Sequence, residues 1–118
     1  MLLARILVID DEEHVRTLLR TALELQGYKV VEAENGQEGL QYYQTEPTDL
    51  VITDIQMPVM DGVQMLMELR RTFPRAKVIA ISGGVRALDM ARTLKAQHTL
   101  AKPFCLKELL AAVQTLVS

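Results

Sequence analysis

The chain has 118 residues, of which 49% are hydrophobic, and its 13 basic and 15 acidic side chains leave a net charge of −2. This length suits one domain with a cooperative core, and the near balance of charge makes direct nucleic-acid binding or attraction to a membrane surface unexpected. No apolar stretch reaches the roughly 20 residues of a membrane span, and the single cysteine forms no internal disulfide, so we expect a cytoplasmic protein.

The first predicted strand covers residues 5–9, an apolar run of strand length. A helix is predicted next, because apolar residues recur there at helical spacing and Gly27 stands where a left-handed C-cap is expected. These residues, Val15, Leu18, Leu19, Ala22 and Leu23, form an apolar stripe along one face of the predicted helix.

Four more β/α units are predicted along the rest of the chain. The strand-like runs cover residues 29–33, 50–53, 77–81 and 99–101. The helices that follow them are expected from Asn35 to Glu46, from Asp61 to about Phe73, over about Val85 to Leu94, and from Leu106 to Val117. Several strands are apolar on successive residues, which is typical of parallel strands covered by helices on both faces. The pattern therefore predicts a doubly wound α/β fold.

Polar side chains stand where these strands end. Asp10 and Asp11 follow the first strand, Asp54 the third and Lys102 the fifth, and Ser82 ends the fourth. The carboxyl ends of parallel strands meet at one edge of the sheet, where ligands bind. Three neighbouring carboxylates require a cation, and Mg²⁺ fits because it prefers oxygen ligands. Lys102 and Ser82 suit phosphate oxygens. The set predicts a magnesium and phosphoryl site.

Within this set Asp54 is the candidate nucleophile, because it stands alone at its strand end whereas Asp10 and Asp11 resemble a metal clamp. Attack by its carboxylate on a phosphoryl donor would produce an aspartyl phosphate. Zinc is not expected, since one cysteine and two histidines without a shared motif cannot build a closed site.

Three segments, Val8 to Glu12, Asp54 to Gly62 and Lys102 to Phe104, closely resemble in order and spacing the receiver domain of bacterial two-component response regulators. The resemblance covers essentially the whole chain, so it implies one receiver domain over residues 1–118. It also implies a flavodoxin-like sheet of five parallel strands in the order 2-1-3-4-5 with five helices, as in the single-domain regulators of chemotaxis.

The resemblance further implies a role for each site residue. Asp54 would accept a phosphoryl group from a histidine kinase or a histidine phosphotransfer protein. Mg²⁺ would be held directly by Asp11, Asp54 and the backbone carbonyl of Gln56, and by Asp10 through water. Ser82 and Lys102 would contact the phosphoryl oxygens. The surface of the fourth helix, fifth strand and fifth helix would then signal to a partner or output domain, so the chain would be a regulator and not a metabolic enzyme.

Two departures from the family pattern bear on switching. Thr99 stands where the family usually has an aromatic residue that swings inward, so that ring movement is excluded here. Gly83 and Gly84 follow Ser82, so the adjoining loop is expected to be unusually free, and we expect ordering of this loop to dominate the output change.

Three other functions fit these residues less well. A phosphohydrolase of the haloacid dehalogenase type also uses an aspartate nucleophile, but it requires Asp-x-Asp after the first strand, where this chain has Asp10-Asp11-Glu12. A flavin mononucleotide carrier would need phosphate-binding donors where this chain is acidic. A receiver-like scaffold that is never phosphorylated is opposed by the full set of site residues.

Overall fold

The computed structural model describes residues 3–57 and 60–118, in which five strands alternate with five helices. The strands are β1 (Arg5–Ile9), β2 (Lys29–Ala33), β3 (Leu50–Asp54), β4 (Val78–Ser82) and β5 (His98–Ala101). The helices are α1 (Glu13–Leu25), α2 (Gly36–Thr45), α3 (Gly62–Thr72), α4 (Val85–Thr93) and α5 (Leu106–Val117). Each helix of the described segments is too short or too polar to cross a lipid bilayer.

The strands form one sheet in the order β2-β1-β3-β4-β5, and every neighbouring pair is parallel. The chain moves outward from β1 to β2 and then returns to β3 on the other side of β1, so the winding direction reverses between β1 and β3. A reversal of this kind opens a crevice at the carboxyl ends of the two strands. The predicted doubly wound fold and its strand order are confirmed.

The sheet has a hydrophobic layer on each face, because successive side chains of a strand point to opposite sides. Leu7 and Ile9 of β1 pack in the layer covered by α2, α3 and α4, whereas Ile6 and Val8 pack in the layer covered by α1 and α5. All four side chains are 0–1% exposed. The continuous apolar runs in the sequence reflect this burial on both faces.

The predicted helix starts are confirmed at two N-caps. The Asn35 side chain accepts a hydrogen bond from the Glu38 backbone N–H at 2.8 Å, and the Asp61 side chain accepts one from Gln64 at the same distance. These caps satisfy backbone donors that the first turn of a helix leaves without a partner. The Pro58-Val59 part of the central motif lies outside the described residues.

The chain leaves both α1 and α4 through a residue with a positive φ angle, but the residue type differs. Gly27 after α1 has φ 93°, as its predicted C-cap role requires, and Lys95 after α4 has φ 65°. Lys95 carries a Cβ in the left-handed region, which most side chains disfavour. The guanidinium of Arg70 contributes to holding this turn, donating to the carbonyls of Leu94 at 3.0 Å and Lys95 at 2.9 Å.

The buried face of α1 differs from the predicted stripe at one position. Leu18 is 51% exposed, whereas Arg16 is only 9% exposed. Arg16 takes the buried place because its guanidinium finds polar partners at the ends of β1 and β2. Four strand limits also differ by one residue from the predicted runs: β3 and β4 extend to Asp54 and Ser82, β4 begins at Val78, and β5 begins at His98.

Candidate phosphoacceptor site

The residues predicted to form the site lie at the carboxyl end of the sheet. Asp10 follows β1, Asp54 ends β3, Ser82 ends β4 and Lys102 follows β5. Parallel pairing holds them at a common level, because Asp54 is in register with Ile81 and Ser82 with Ala101. The Asp10 N–H also donates to the Ala33 carbonyl at 3.1 Å, which ties the start of the acidic turn to β2.

Lys102 joins the carboxylates of two strand ends. Its Nζ lies 2.8 Å from Oδ2 of Asp54 and 3.9 Å from Oδ2 of Asp10. Asp54 is 5% exposed and Asp10 3%, while the Lys102 side chain retains 28% of its exposure. The ammonium therefore caps two buried acids and is itself reached by solvent.

The pKa values of two of these groups, Asp10 and Lys102, are shifted. Burial raises the pKa of the Asp10 carboxyl, and the nearby charges of Asp54 and Asp11 add to that rise against the hydrogen bond from the Glu12 N–H and the charge of Lys102. Burial alone would lower the pKa of Lys102, but its hydrogen bond to Asp54 and the surrounding carboxylates outweigh burial and raise it. A site with excess negative charge and a firmly protonated lysine is the result.

The acidic turn presents the oxygen ligands of a hard cation. Carboxylate oxygens of Asp10, Asp11 and Glu12 lie within 4.8 Å of one another. All three donors are oxygens, the set that Mg²⁺ prefers, and a divalent ion would relieve the repulsion among these carboxylates, which adds to burial in raising the pKa of Asp10. The residues present therefore fit Mg²⁺. Sequence reasoning assigned no role to Glu12, although it is the third acid of the same run.

Asp54 is engaged on both carboxylate oxygens. Oδ2 accepts from Lys102, and Oδ1 accepts from the Gln56 backbone N–H at 3.1 Å. Asp54 is not among the three acids whose oxygens cluster. The predicted ligands therefore fall in two groups: Asp10 and Asp11 lie with Glu12, and Asp54 pairs with Lys102.

The hydroxyl of Ser82 is completely buried and has two partners. It donates to Oε1 of Gln56 at 3.3 Å and accepts from the Gly84 backbone N–H at 3.1 Å. The side chain of Gln56 therefore lies between the site and the loop that enters α4. A Cβ at position 84 would come within 3.2 Å of the Gln56 amide nitrogen, so a glycine there allows this close approach. The predicted Mg²⁺ ligand at Gln56 is its backbone carbonyl, and the contact of its side chain with Ser82 was not predicted.

A shallow apolar groove adjoins the site between α1 and the loop from β5 to α5. Val15, Leu18, Phe104 and Leu106 line it together with the aliphatic stem of Lys102. The exposed Leu18 thus belongs to a surface that leads to the same lysine that contacts Asp54. On β5 itself, Thr99 is half-buried and in register with Ala80.

Comparison with known proteins agrees with this geometry. The family model described as "Response regulator receiver domain" matches residues 6–114. The alkaline phosphatase synthesis transcriptional regulatory protein PhoP of Bacillus subtilis is 33% identical over 96% of this chain and 48% of its own length. The regulatory protein AtoC of Escherichia coli is 38% identical over 93% of this chain and 24% of its own length. The chain thus spans half or less of these curated relatives.

Solved structures superpose over nearly the full chain. The response regulator TrrA of Thermotoga maritima, solved in complex with Mg²⁺ and BeF, has a TM-score of 0.89 and 35% identity, with 97% of this chain and 99% of that one covered. A response regulator receiver domain protein from Clostridium thermocellum has a TM-score of 0.90 and 32% identity, with coverage of 98% and 94%. The chain belongs to the response regulator receiver domain family, the regulatory phosphoacceptor domain of two-component systems.

Proposed function

We propose that residues 1–118 form one receiver unit in which Asp54 is the phosphoacceptor, and that its phosphorylation controls a downstream partner. The observation that carries the proposal is the 2.8 Å contact between Lys102 Nζ and the buried Asp54 carboxylate. Such a lysine holds a positive charge where the equatorial oxygens of a transferred phosphoryl group require neutralisation. The proposal places the exchange in the cytoplasm, where regulators of this family work.

The chemical step is a transfer between two proteins. An oxygen of the Asp54 carboxylate attacks the phosphorus of a phosphohistidine on a histidine kinase or a phosphotransfer protein. A P–O bond forms, the P–N bond breaks, and its electron pair stays on the imidazole nitrogen. Lys102 keeps its proton and moves its hydrogen bond from the carboxylate to a phosphoryl oxygen.

The cation site assists this step. Asp10 and Asp11 would hold Mg²⁺ together with Asp54 and the backbone carbonyl of Gln56, and Glu12 would offer a further oxygen close to the first two. The bound ion supplies neutralisation of the phosphoryl charge. Lys102 Nζ lies near both the Asp10 and Asp54 carboxylates, and its positive charge reduces the repulsion between them until the ion binds.

The phosphohistidine donor docks in the groove between α1 and the β5–α5 loop. Lys102 is part of this groove, so a helix that carries the donor histidine and lies there has its reactive group beside Asp54. The half-exposed Leu18 supplies an apolar contact for such a helix. We take this surface as the site for the kinase or phosphotransfer protein.

The output depends on Ser82 and the loop after it. The hydroxyl now donates to Gln56 and accepts from Gly84. A phosphoryl oxygen on Asp54 competes for the hydroxyl, and because Gly84 is bound to the same oxygen, the entry to α4 moves with it. The surface of α4, β5 and α5 then presents a changed shape to a partner or output domain.

Phosphorylation with acetyl phosphate tests the proposal. The protein is incubated with acetyl phosphate and Mg²⁺, and its intact mass is compared with that of Asp54→Asn. Gain of one phosphoryl group by the unsubstituted protein alone, abolished by a chelator, supports the proposal. Absence of any gain would favour a scaffold, and steady turnover of small phosphate esters would favour a phosphohydrolase.

A further inference from the structure

Arg16 is a buried cation beneath the acidic turn. Arginine is among the residues least often buried, yet Arg16 is 9% exposed and lies on the core-facing side of α1. Its Nη1 donates to the backbone carbonyl of Asp10 at 2.7 Å, and its Nε lies 3.3 Å from Oε1 of Glu32 on β2. The guanidinium therefore joins the end of β1 to β2.

The other contacts of the turn are local or short. The Asp10 N–H is held by the Ala33 carbonyl, and the Glu12 N–H donates to Oδ1 of Asp10 at 2.9 Å. The Glu12 carbonyl accepts from Val15 and Arg16 as α1 begins. The Asp10 carbonyl is thus the point at which a side chain from α1 reaches back to the peptide that joins the two aspartates.

We infer that Arg16 is a positioning residue for the cation site: by fixing the Asp10–Asp11 peptide, it sets where the carboxylates of Asp10, Asp11 and Glu12 point. This inference rests on the proposed Mg²⁺ site. Residues behind the ligands of a metal orient them, and their removal typically weakens metal binding although they never touch the ion.

Glu32 defines the geometry of Arg16. Its Oε1 faces Arg16, and its Oε2 accepts from Nη1 of Arg20 at 2.7 Å. The planar guanidinium of Arg16 reaches Asp10 and Glu32 from two of its nitrogens at once, whereas an ammonium is a single point of donation. Lysine at position 16 would keep the charge and lose this two-sided hold.

Charge and geometry predict opposite effects on Mg²⁺ binding. A cation near a cation site repels it, so removal of Arg16 would tighten Mg²⁺ binding if charge alone mattered. Removal would weaken binding if the role of Arg16 is to position the turn. The sign of the change in Kd therefore decides between the two.

The test is a titration of each folded variant with MgCl₂ alone at a temperature well below its unfolding midpoint. The backbone amide chemical shifts of Asp11 and Glu12 report the binding. We expect Arg16→Met to raise the Kd for Mg²⁺ roughly tenfold, and Arg16→Lys to raise it less. Arg20→Met is the matched control, since Arg20 shares Glu32 but has no contact with Asp10. An unchanged or lower Kd in Arg16→Met, or an equal rise in Arg20→Met, would overturn the inference.

Arg16→Lys keeps the test decisive if Arg16→Met does not fold. It keeps the positive charge and loses the simultaneous hold on Asp10 and Glu32, so a rise in Kd reports geometry and not charge. Unchanged Mg²⁺ affinity in Arg16→Lys would contradict the positioning role. Phosphorylation is not needed for this readout, so failure of Asp54 to accept a phosphoryl group remains a separate result.

Discussion

The Lys102 ammonium lies 2.8 Å from the Asp54 carboxylate although the two residues are 48 positions apart in the chain. Their contact joins the ends of two strands that are separated by β4 in the sheet. Asp54 is nearly inaccessible to solvent, and Lys102 is its ion-pair partner. The same ammonium occupies the side of Asp54 that faces Asp10, and it therefore opposes a divalent ion there.

Removal of the lysine charge is expected to strengthen Mg²⁺ binding and to slow phosphorylation. Lys102→Met relieves the competition for Asp54 and Asp10, so the Kd for Mg²⁺ should fall. Labelling by acetyl phosphate should slow, because no cation replaces the ammonium on the phosphoryl oxygens. We expect a loss of about 1–2 kcal/mol in the free energy of unfolding without Mg²⁺, less than for a fully buried pair because Lys102 is partly exposed. Weaker Mg²⁺ binding in this variant would contradict the competition.

The raised pKa of Asp10 predicts how stability depends on pH without Mg²⁺. Because the folded carboxyl has a higher pKa than the unfolded one, the folded state binds the proton more tightly, and stability falls as pH rises from the unfolded value through the folded value. Asp10→Asn removes this dependence and should stabilise the protein at pH 7 by about 1 kcal/mol. Chemical denaturation across the acidic range measures it. A less stable Asp10→Asn at neutral pH would show that Asp10 is not destabilising.

The groove beside Lys102 predicts a difference between protein and small-molecule donors. Leu18→Gln should slow transfer from a phosphorylated histidine protein by about tenfold, since it replaces the apolar contact at a docking surface. Labelling by acetyl phosphate should be unchanged, because that donor needs no docking. Leu25→Gln is the control: Leu25 lies on the same helix and is 80% exposed, but it does not line the groove. Equally slowed transfer from the histidine protein in both variants would show that the groove is not the docking surface.

Ordering of the loop after Ser82 is expected to accompany phosphorylation. Amide hydrogen exchange of Gly83 and Gly84 should slow when a beryllofluoride analogue binds with Mg²⁺ and the loop becomes ordered, because the Gly84 N–H is hydrogen-bonded to the Ser82 hydroxyl. Lys102→Met, which lacks one ligand of the phosphoryl group, should show a smaller change at equal analogue concentration. Identical exchange with and without the analogue in the unsubstituted protein would count against a role for this loop.

Two helix ends provide a reciprocal test of backbone strain. Lys95→Gly should stabilise the protein and Gly27→Ala should destabilise it, each by about 1 kcal/mol, since both positions have positive φ. A Cβ at position 27 meets no atom within 4 Å, so the effect there is conformational and not steric. Urea denaturation of the two variants gives both values, and a destabilised Lys95→Gly would mean that its side chain contributes more than its backbone costs.

The sequence predicted the parts of this molecule that depend on local pattern. Strands β1 and β3 were recognisable because burial on both faces makes them continuously apolar over Ile6 to Ile9 and Leu50 to Ile52. The caps at Asn35 and Asp61 were recognisable because their hydrogen bonds span only three residues. The predicted convergence of Asp10, Asp54 and Lys102 followed from parallel strands that end at one edge.

Contacts between distant residues were not predictable in the same way. Leu18 was expected to be buried and is exposed, whereas Arg16 is buried because its partners are Asp10 and Glu32, and Glu32 lies on a different strand. The hydrogen bond between Ser82 and the Gln56 side chain likewise joins the end of β4 to the loop after β3. No periodicity within either segment carries that information, since it depends on how the segments are placed in the sheet.

The central claim is that Asp54, and neither Asp10 nor Asp11, receives the phosphoryl group. Borohydride reduction after reaction with acetyl phosphate and Mg²⁺ converts an aspartyl phosphate to homoserine, which peptide mass mapping then locates. The account predicts homoserine at position 54 alone, and only when Mg²⁺ is present. Homoserine at position 10 or 11, or none at any position while phosphate esters are hydrolysed, would contradict it.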